Sequence, residues 1–167
     1  MKACPLQTDG FPAIEYGFEK IFRRGQKALI RAQKCPRPEN YHEWRKRVKD
    51  HWYHARLLED FWNDIMRAYE KSLNDVQAWL GDDHNLVLLR ARIVAEADSY
   101  GSDKEISPVL TLVDKHQKSL RAAALSLGKR TYAAKSRQVA RRVKQFWDEW
   151  QVQTQSLEEL QRQGRHS

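Results

Sequence analysis

Cysteine, proline and glycine are all scarce in these 167 residues, at two, five and seven, and each scarcity excludes something. Cys4 and Cys35 lie far apart and near no Cys or His pair in sequence, so they form no metal motif. As free thiols they fit a reducing compartment. No stretch approaches the ~18 apolar residues of a membrane span, and the start MKACPLQTDG lacks the apolar run of a signal peptide. These absences predict a soluble, cytoplasmic protein with no membrane contact. Apolar–polar alternation of period two is also missing, which excludes strands and leaves helix.

The few breakers fall where helices should end. Pro5 and Pro12 bracket a short leader, and Pro36 and Pro38 interrupt the chain at KCPRPEN. Ser107 followed by Pro108 reads as an N-cap and a first-turn proline. Gly128 punctuates LSLGKRTY. Helices are expected at about 12–34, 40–70, 72–98, 108–127 and 131–152, with the second divided from the third near Lys71. The fold class is therefore all-α, an antiparallel bundle of about five helices with a long second helix. One domain is expected over 12–152, behind a flexible leader at 1–11 and ahead of a frayed tail at 153–167.

Charge is what the chain has in excess. Thirty Lys and Arg oppose 22 Asp and Glu, for a net charge of +8 and a pI near 9.6. Such a surplus points to a polyanionic partner and says little about fold. The segment YHEWRKRVKDHWYHARLLEDFW, residues 41–62, shows how the charge is sorted. With His42 at zero on a helical projection, Arg45, Lys46, Lys49, Tyr53 and Arg56 fall within about 60° of it. Trp44, Val48, Ala55, Trp62 and Met66 gather on the opposite side, His51 is placed between the two stripes, and His54 lies off the basic row.

The first helix repeats this pattern. Phe18, Ile21, Phe22, Gly25, Ala28, Leu29 and Ala32 share one face, and Tyr16, Lys20, Arg23, Lys27, Arg31 and Lys34 share the other. Further on, Arg137, Arg141 and Lys144 align while Val143, Phe146 and Trp150 point elsewhere. Ordinary surface helices mix Glu with Lys, because like-charged neighbours cost a few tenths of a kcal/mol. The row from Tyr16 to Arg31 contains no acid, which suits a surface built for an anion.

The anion needs only phosphates. No helix-turn-helix, zinc finger or exposed aromatic platform for stacked bases is expected, since the Trp and Phe residues fall mostly on core faces, Trp44, Trp62, Trp147 and Trp150 among them. No catalytic triad, Gly-rich phosphate loop or cluster of metal-binding acids is evident, so no enzyme activity and no cofactor are expected. In GDDH, Asp82, Asp83 and His84 point in different directions on a helix, which argues against a metal ion. Asp75 is expected to pair with a residue of a basic row. His42, at the start of its helix beside three cations, is expected to contact the anion, whereas His51 and His54 are expected to be structural or solvated.

The block His42, Arg45, Lys46 and Lys49, followed by Val76, Gln77, Leu80, Gly81, His84 and Asn85, resembles the second half of the CHAD domain, the conserved-histidine α-helical domain. Upstream, GFEKIFRRGQKALIRAQ looks like the family's first basic helix, with Gln26 where Arg is usual. The likeness extends over about residues 12–152. It implies two similar helical bundles around a basic channel that binds inorganic polyphosphate, often beside a triphosphate-hydrolysing CYTH domain. It implies that His42, Arg45, Lys46, Lys49 and Arg56 line the channel, with Arg23, Lys27 and Arg31 added by position; the row Arg137, Arg141 and Lys144, found by its spacing, is expected to bind the same ligand. Two departures stand out. Asn85 replaces the usual Asp, and the chain holds one bundle where two are usual, so a homodimer or a missing half would complete the channel. The expected function is non-catalytic polyphosphate binding, at polyphosphate granules or beside a phosphate-metabolising partner. The alternative is a basic helical protein that binds nucleic acid or associates with the ribosome, nucleic acid being otherwise a weaker competitor.

Overall fold

The computed structural model describes residues 11–59 and 63–164. Among these residues six helices follow in order: α1 (Phe11–Lys34), α2 (Pro38–Leu57), α3 (Asn63–Ala95), the single turn α4 (Ala97–Tyr100), α5 (Asp103–Thr131) and α6 (Ser136–Gly164). Among the described residues there is no strand, and no helix is long and apolar enough to cross a membrane. The expected leader falls almost wholly outside the described residues.

Sequential helices pack as neighbours, α1 on α2, α2 on α3 and α3 on α5, and α6 lies along α1. The shared core consists of apolar residues at helical spacing. It takes Phe18, Phe22 and Leu29 from α1, Trp44, Val48 and Ala55 from α2, Leu73, Val76 and Leu80 from α3, and Ala124 from α5. Burying each large side chain contributes roughly 1.5–3 kcal/mol, more than helix propensity supplies. Beyond this core α3 and α5 continue as a hairpin that buries Ile93, Ile106 and Val113.

Several boundaries differ from the sequence expectation. The second helix stops at Leu57, and the third starts at Asn63 instead of near Lys71. Nothing in 41–70 is a proline or glycine, so the turn answers to packing: Trp52 Nε1 donates to Glu70 Oε1 at 2.9 Å across the α2–α3 pair, which centres the reversal between them. α5 begins after Ser102, five residues before the Ser107–Pro108 signal. Its start is fixed by Glu105, whose Oε2 accepts from the Ser102 backbone N–H at 2.9 Å and from its hydroxyl at 2.8 Å. Pro108 thus lies inside the helix. Gly128 likewise sits within α5, where a Cβ would come within 2.5 Å of Trp44 Cζ2. Its smallness makes room for the tryptophan and does not end the helix. α6 runs on to Gly164, past the expected end near 152.

Candidate anion-binding site

α2 opens on Pro38, whose fixed backbone suits a first turn. One turn later its residues divide by direction. Tyr41 and Trp44 turn into the core. His42 and Arg45, both half-buried, turn toward α3. The rings of His42 and His84 lie with centroids 4.4 Å apart and planes 33° apart. Arg45 lies against the bare backbone of Gly81, where a Cβ would stand 3.3 Å from its Nε. Lys46 is exposed, 3.3 Å from Glu43 Oε2. Glu43 also holds Arg47, which reaches Asp50 at 3.2 Å, so an ion-pair chain runs down the flank of α2 away from α3.

Three polar side-chain atoms at this end of α2 are buried without a hydrogen-bond partner: Trp44 Nε1, which faces the core, and His42 Nδ1 and Arg45 Nε on the side toward α3. A buried donor on a charged group without an acceptor costs ~1–3 kcal/mol or more, so such atoms are unusual unless something satisfies them. Burial, then the neighbouring His84, Lys46 and Arg45, hold the His42 imidazole below its ordinary range, with Glu43 acting the other way. The ring is therefore neutral near pH 7.

The other basic-row residues occupy three settings. Arg23, Lys27 and Arg31 stand exposed on the outward face of α1, and no carboxylate among the described residues pairs with them. Lys49 lies 5.8 Å from the Tyr53 ring centroid and Arg56 lies 5.0 Å from that of Trp52. On α6, Arg141 is exposed. Arg137 lies 3.9 Å from Glu19 of α1, and Lys144 lies 2.6 Å from Asp148 on its own helix. α6 runs antiparallel to α1, with Ser136 bonded to Glu19 and Trp147 against Phe11. Its row is thus tied to the end of α1 remote from His42. The structure brings together His42, Arg45 and Lys46; it gives no contact joining them to the α1 or α6 rows.

Several expectations change. Tyr16 and Tyr53 are 68% and 49% exposed within the basic rows, so aromatic surface is available there after all. Asp75 bonds to Lys71 at 2.7 Å on its own helix, since i,i+4 geometry is nearer than any row residue. His54 Nδ1 donates to the Asp50 carbonyl at 2.8 Å. Asp83 is only 1% exposed. It takes 2.7 Å and 3.2 Å hydrogen bonds from Arg121 Nε and Gln117 Nε2, and Arg121 stacks 4.6 Å from the Tyr41 ring. Asp82 is exposed and Asn85 too; no group of three or more metal-ligating side chains occurs among the described residues.

His51 is fully buried. Its Nδ1 lies 3.0 Å from the Tyr132 hydroxyl and its Nε2 lies 3.3 Å from that of Tyr69. A neutral ring has one donor and one acceptor, so one hydroxyl accepts from it and the other donates to it. Phe18 and Phe22 stand edge-on around the ring. Burial, and next to it His54, pushes its pKa down to about 3.

Fold and site together define a helical bundle with a cation-bearing end. The family model of the CHAD domain matches residues 8–94, just over half of the chain, spanning α1, α2 and nearly all of α3. The chain belongs to the CHAD domain family, which is linked to polyphosphate-related proteins. No curated protein and no solved structure matches it.

Proposed function

We propose that the protein binds inorganic polyphosphate and performs no chemistry on it. The observation that carries this reading is the end of α2, where Arg45 Nε and His42 Nδ1 are buried without partners beside Lys46. A phosphoryl oxygen would satisfy the guanidinium donor with a charge-assisted bond. Exposed, acid-free cations on α1 and Lys49 and Arg56 on α2 would replace the counterions of a longer chain, Arg by forked contacts and Lys by point contacts. In the α6 row Arg137 and Lys144 are already paired with Glu19 and Asp148, so this row contributes least. A homodimer would supply a facing wall, and the module would serve at polyphosphate granules or beside a phosphate-metabolising enzyme.

Nucleic acid is the second reading, favoured by the exposed Tyr16 and Tyr53, each flanked by a lysine 5.7 Å or 5.8 Å from the ring centroid. Competition separates the two. Polyphosphate is expected to displace labelled single-stranded DNA at equal charge concentration, with DNA failing to displace polyphosphate; the reverse order would favour the nucleic-acid reading. No orthophosphate is expected to be released with or without divalent ions. Release that depends on such ions would replace binding with hydrolysis.

A further inference from the structure

The two imidazoles of His42 and His84 meet across the α2–α3 pair at 4.4 Å. Neutral rings tolerate that approach, whereas two imidazolium rings there would repel. The nearest charges on α2 are the cations Arg45 and Lys46 and the acid Glu43, which is already held by Arg47, while Glu39 lies exposed in the first turn. α3 contributes Asp82, exposed, and Asp83, turned inward and bound by Arg121 of α5. Lys34 ends α1, and Arg37 lies exposed in the short connection to α2. With this company the free site has little reason to hold another positive charge.

A phosphate chain reverses the balance. Its oxygens need donors, and the cluster can add one by taking a proton onto an imidazole nitrogen. We propose that the His42–His84 pair makes anion binding proton-linked, so that a phosphate chain and a proton from solvent are taken up together. This inference rests on the polyphosphate reading above. The step is simple in its balance: a neutral imidazole gains a proton, and the new N–H donates to a phosphoryl oxygen. No bond to phosphorus forms or breaks.

The sign follows from linkage. Wherever the bound state holds more protons than the free state, affinity rises as pH falls, by up to about tenfold per pH unit per proton. Arg and Lys keep their charge throughout this range and add no slope. The chain holds other histidines, His54 and His116 among them, so variants must separate the pair from these.

The test is calorimetric titration with long-chain polyphosphate between about pH 8 and about pH 5.5, around the ordinary histidine range, in two buffers of different ionisation enthalpy. The native protein should take up roughly half to one proton per bound site near pH 6.5 and gain affinity several-fold per unit of acidification. The double variant His42→Gln/His84→Gln should lose the uptake and bind with nearly the same affinity across the range. Binding that persists in the native protein with no uptake overturns the linkage and leaves the polyphosphate reading standing. Absence of binding overturns both, and uptake that survives in the double variant assigns the proton elsewhere and overturns the linkage. A second measurement needs no variant: the NMR titration midpoint of native His42 should rise on adding tripolyphosphate, and an unmoved midpoint contradicts the proposal.

Discussion

α2 carries His42 near its start and His51 near its middle, and the bundle treats the two rings in opposite ways. His51 is sealed among Phe18, Phe22, Tyr69 and Tyr132, with both nitrogens satisfied by tyrosine hydroxyls. His42 is half-buried beside cations, with Nδ1 unpartnered and its ring on His84. Both are kept neutral, but by different means: apolar burial dominates at His51, and at His42 neighbouring positive charge adds to it. One residue type on one helix thus yields a structural plug at one point and an unfinished polar surface at another. The difference lies in whether the fold supplies the hydrogen-bond partners or leaves them to come from outside.

The largest expected effect breaks the sealed region. Gly25→Ala would set a Cβ within 2.5 Å of Tyr132 Cζ, displacing the ring that holds His51; overpacking of this kind costs about 1–3 kcal/mol or more, readable as a lowered denaturant midpoint. Asp83→Ala should cost about 2–3 kcal/mol, since it leaves the Gln117 amide and the partly exposed Arg121 without their acceptor. An unchanged midpoint in either variant would mean that these contacts do not hold the bundle.

A smaller effect concerns acid. The His51 pKa of about 3 in the folded chain lies below the ordinary ~6.5 of the unfolded one. The unfolded state therefore binds more protons between these values, and stability falls as pH drops from 6.5 toward 3. The slope is up to about 1.4 kcal/mol per unit. Denaturant unfolding at pH 7 and pH 5 should show the native protein losing more stability than His51→Gln; equal losses would mean the ring is not sealed. At the other end of α2 the same acidification should alter ligand affinity, and the lowered pKa of His42 adds a loss of stability of the same sign.

How legible this was from the sequence depended on the kind of signal. The basic rows could be placed because charge sorts at helical spacing, and the family resemblance came from residues close together in sequence. His51 was misjudged as lying between the stripes, although with Trp44, Val48 and Ala55 it falls at the spacing of one buried face. Asp83 carried a similar signal: it continues the stripe Leu73, Val76, Leu80, and an acid on an apolar stripe announces a buried partner. That the partner is Arg121, 38 residues away, could not be read, because it depends on how α5 packs against α3. The break between α2 and α3 was equally hidden, having no proline or glycine to mark it, while the α5 start was overlooked at Ser102–Glu105 in favour of the proline.

The smallest expected effect lies in the third basic row. Arg137→Ala/Lys144→Ala removes cations already paired with Glu19 and Asp148, so polyphosphate affinity should change by less than about twofold, in keeping with the small worth of exposed ion pairs. A tenfold loss in a competition assay would show that this row meets the ligand and that the open end of α2 is not the principal contact.

The most direct measurement is calorimetric titration of long-chain polyphosphate into the native protein and Arg45→Ala/Lys49→Ala, at two salt concentrations, with single-stranded DNA alongside. The account predicts salt-sensitive binding that prefers polyphosphate and weakens at least tenfold in the variant, as expected for loss of charge-assisted contacts worth about 1.5–3 kcal/mol each. Equal binding of native protein and variant, or no binding at low salt, would contradict it.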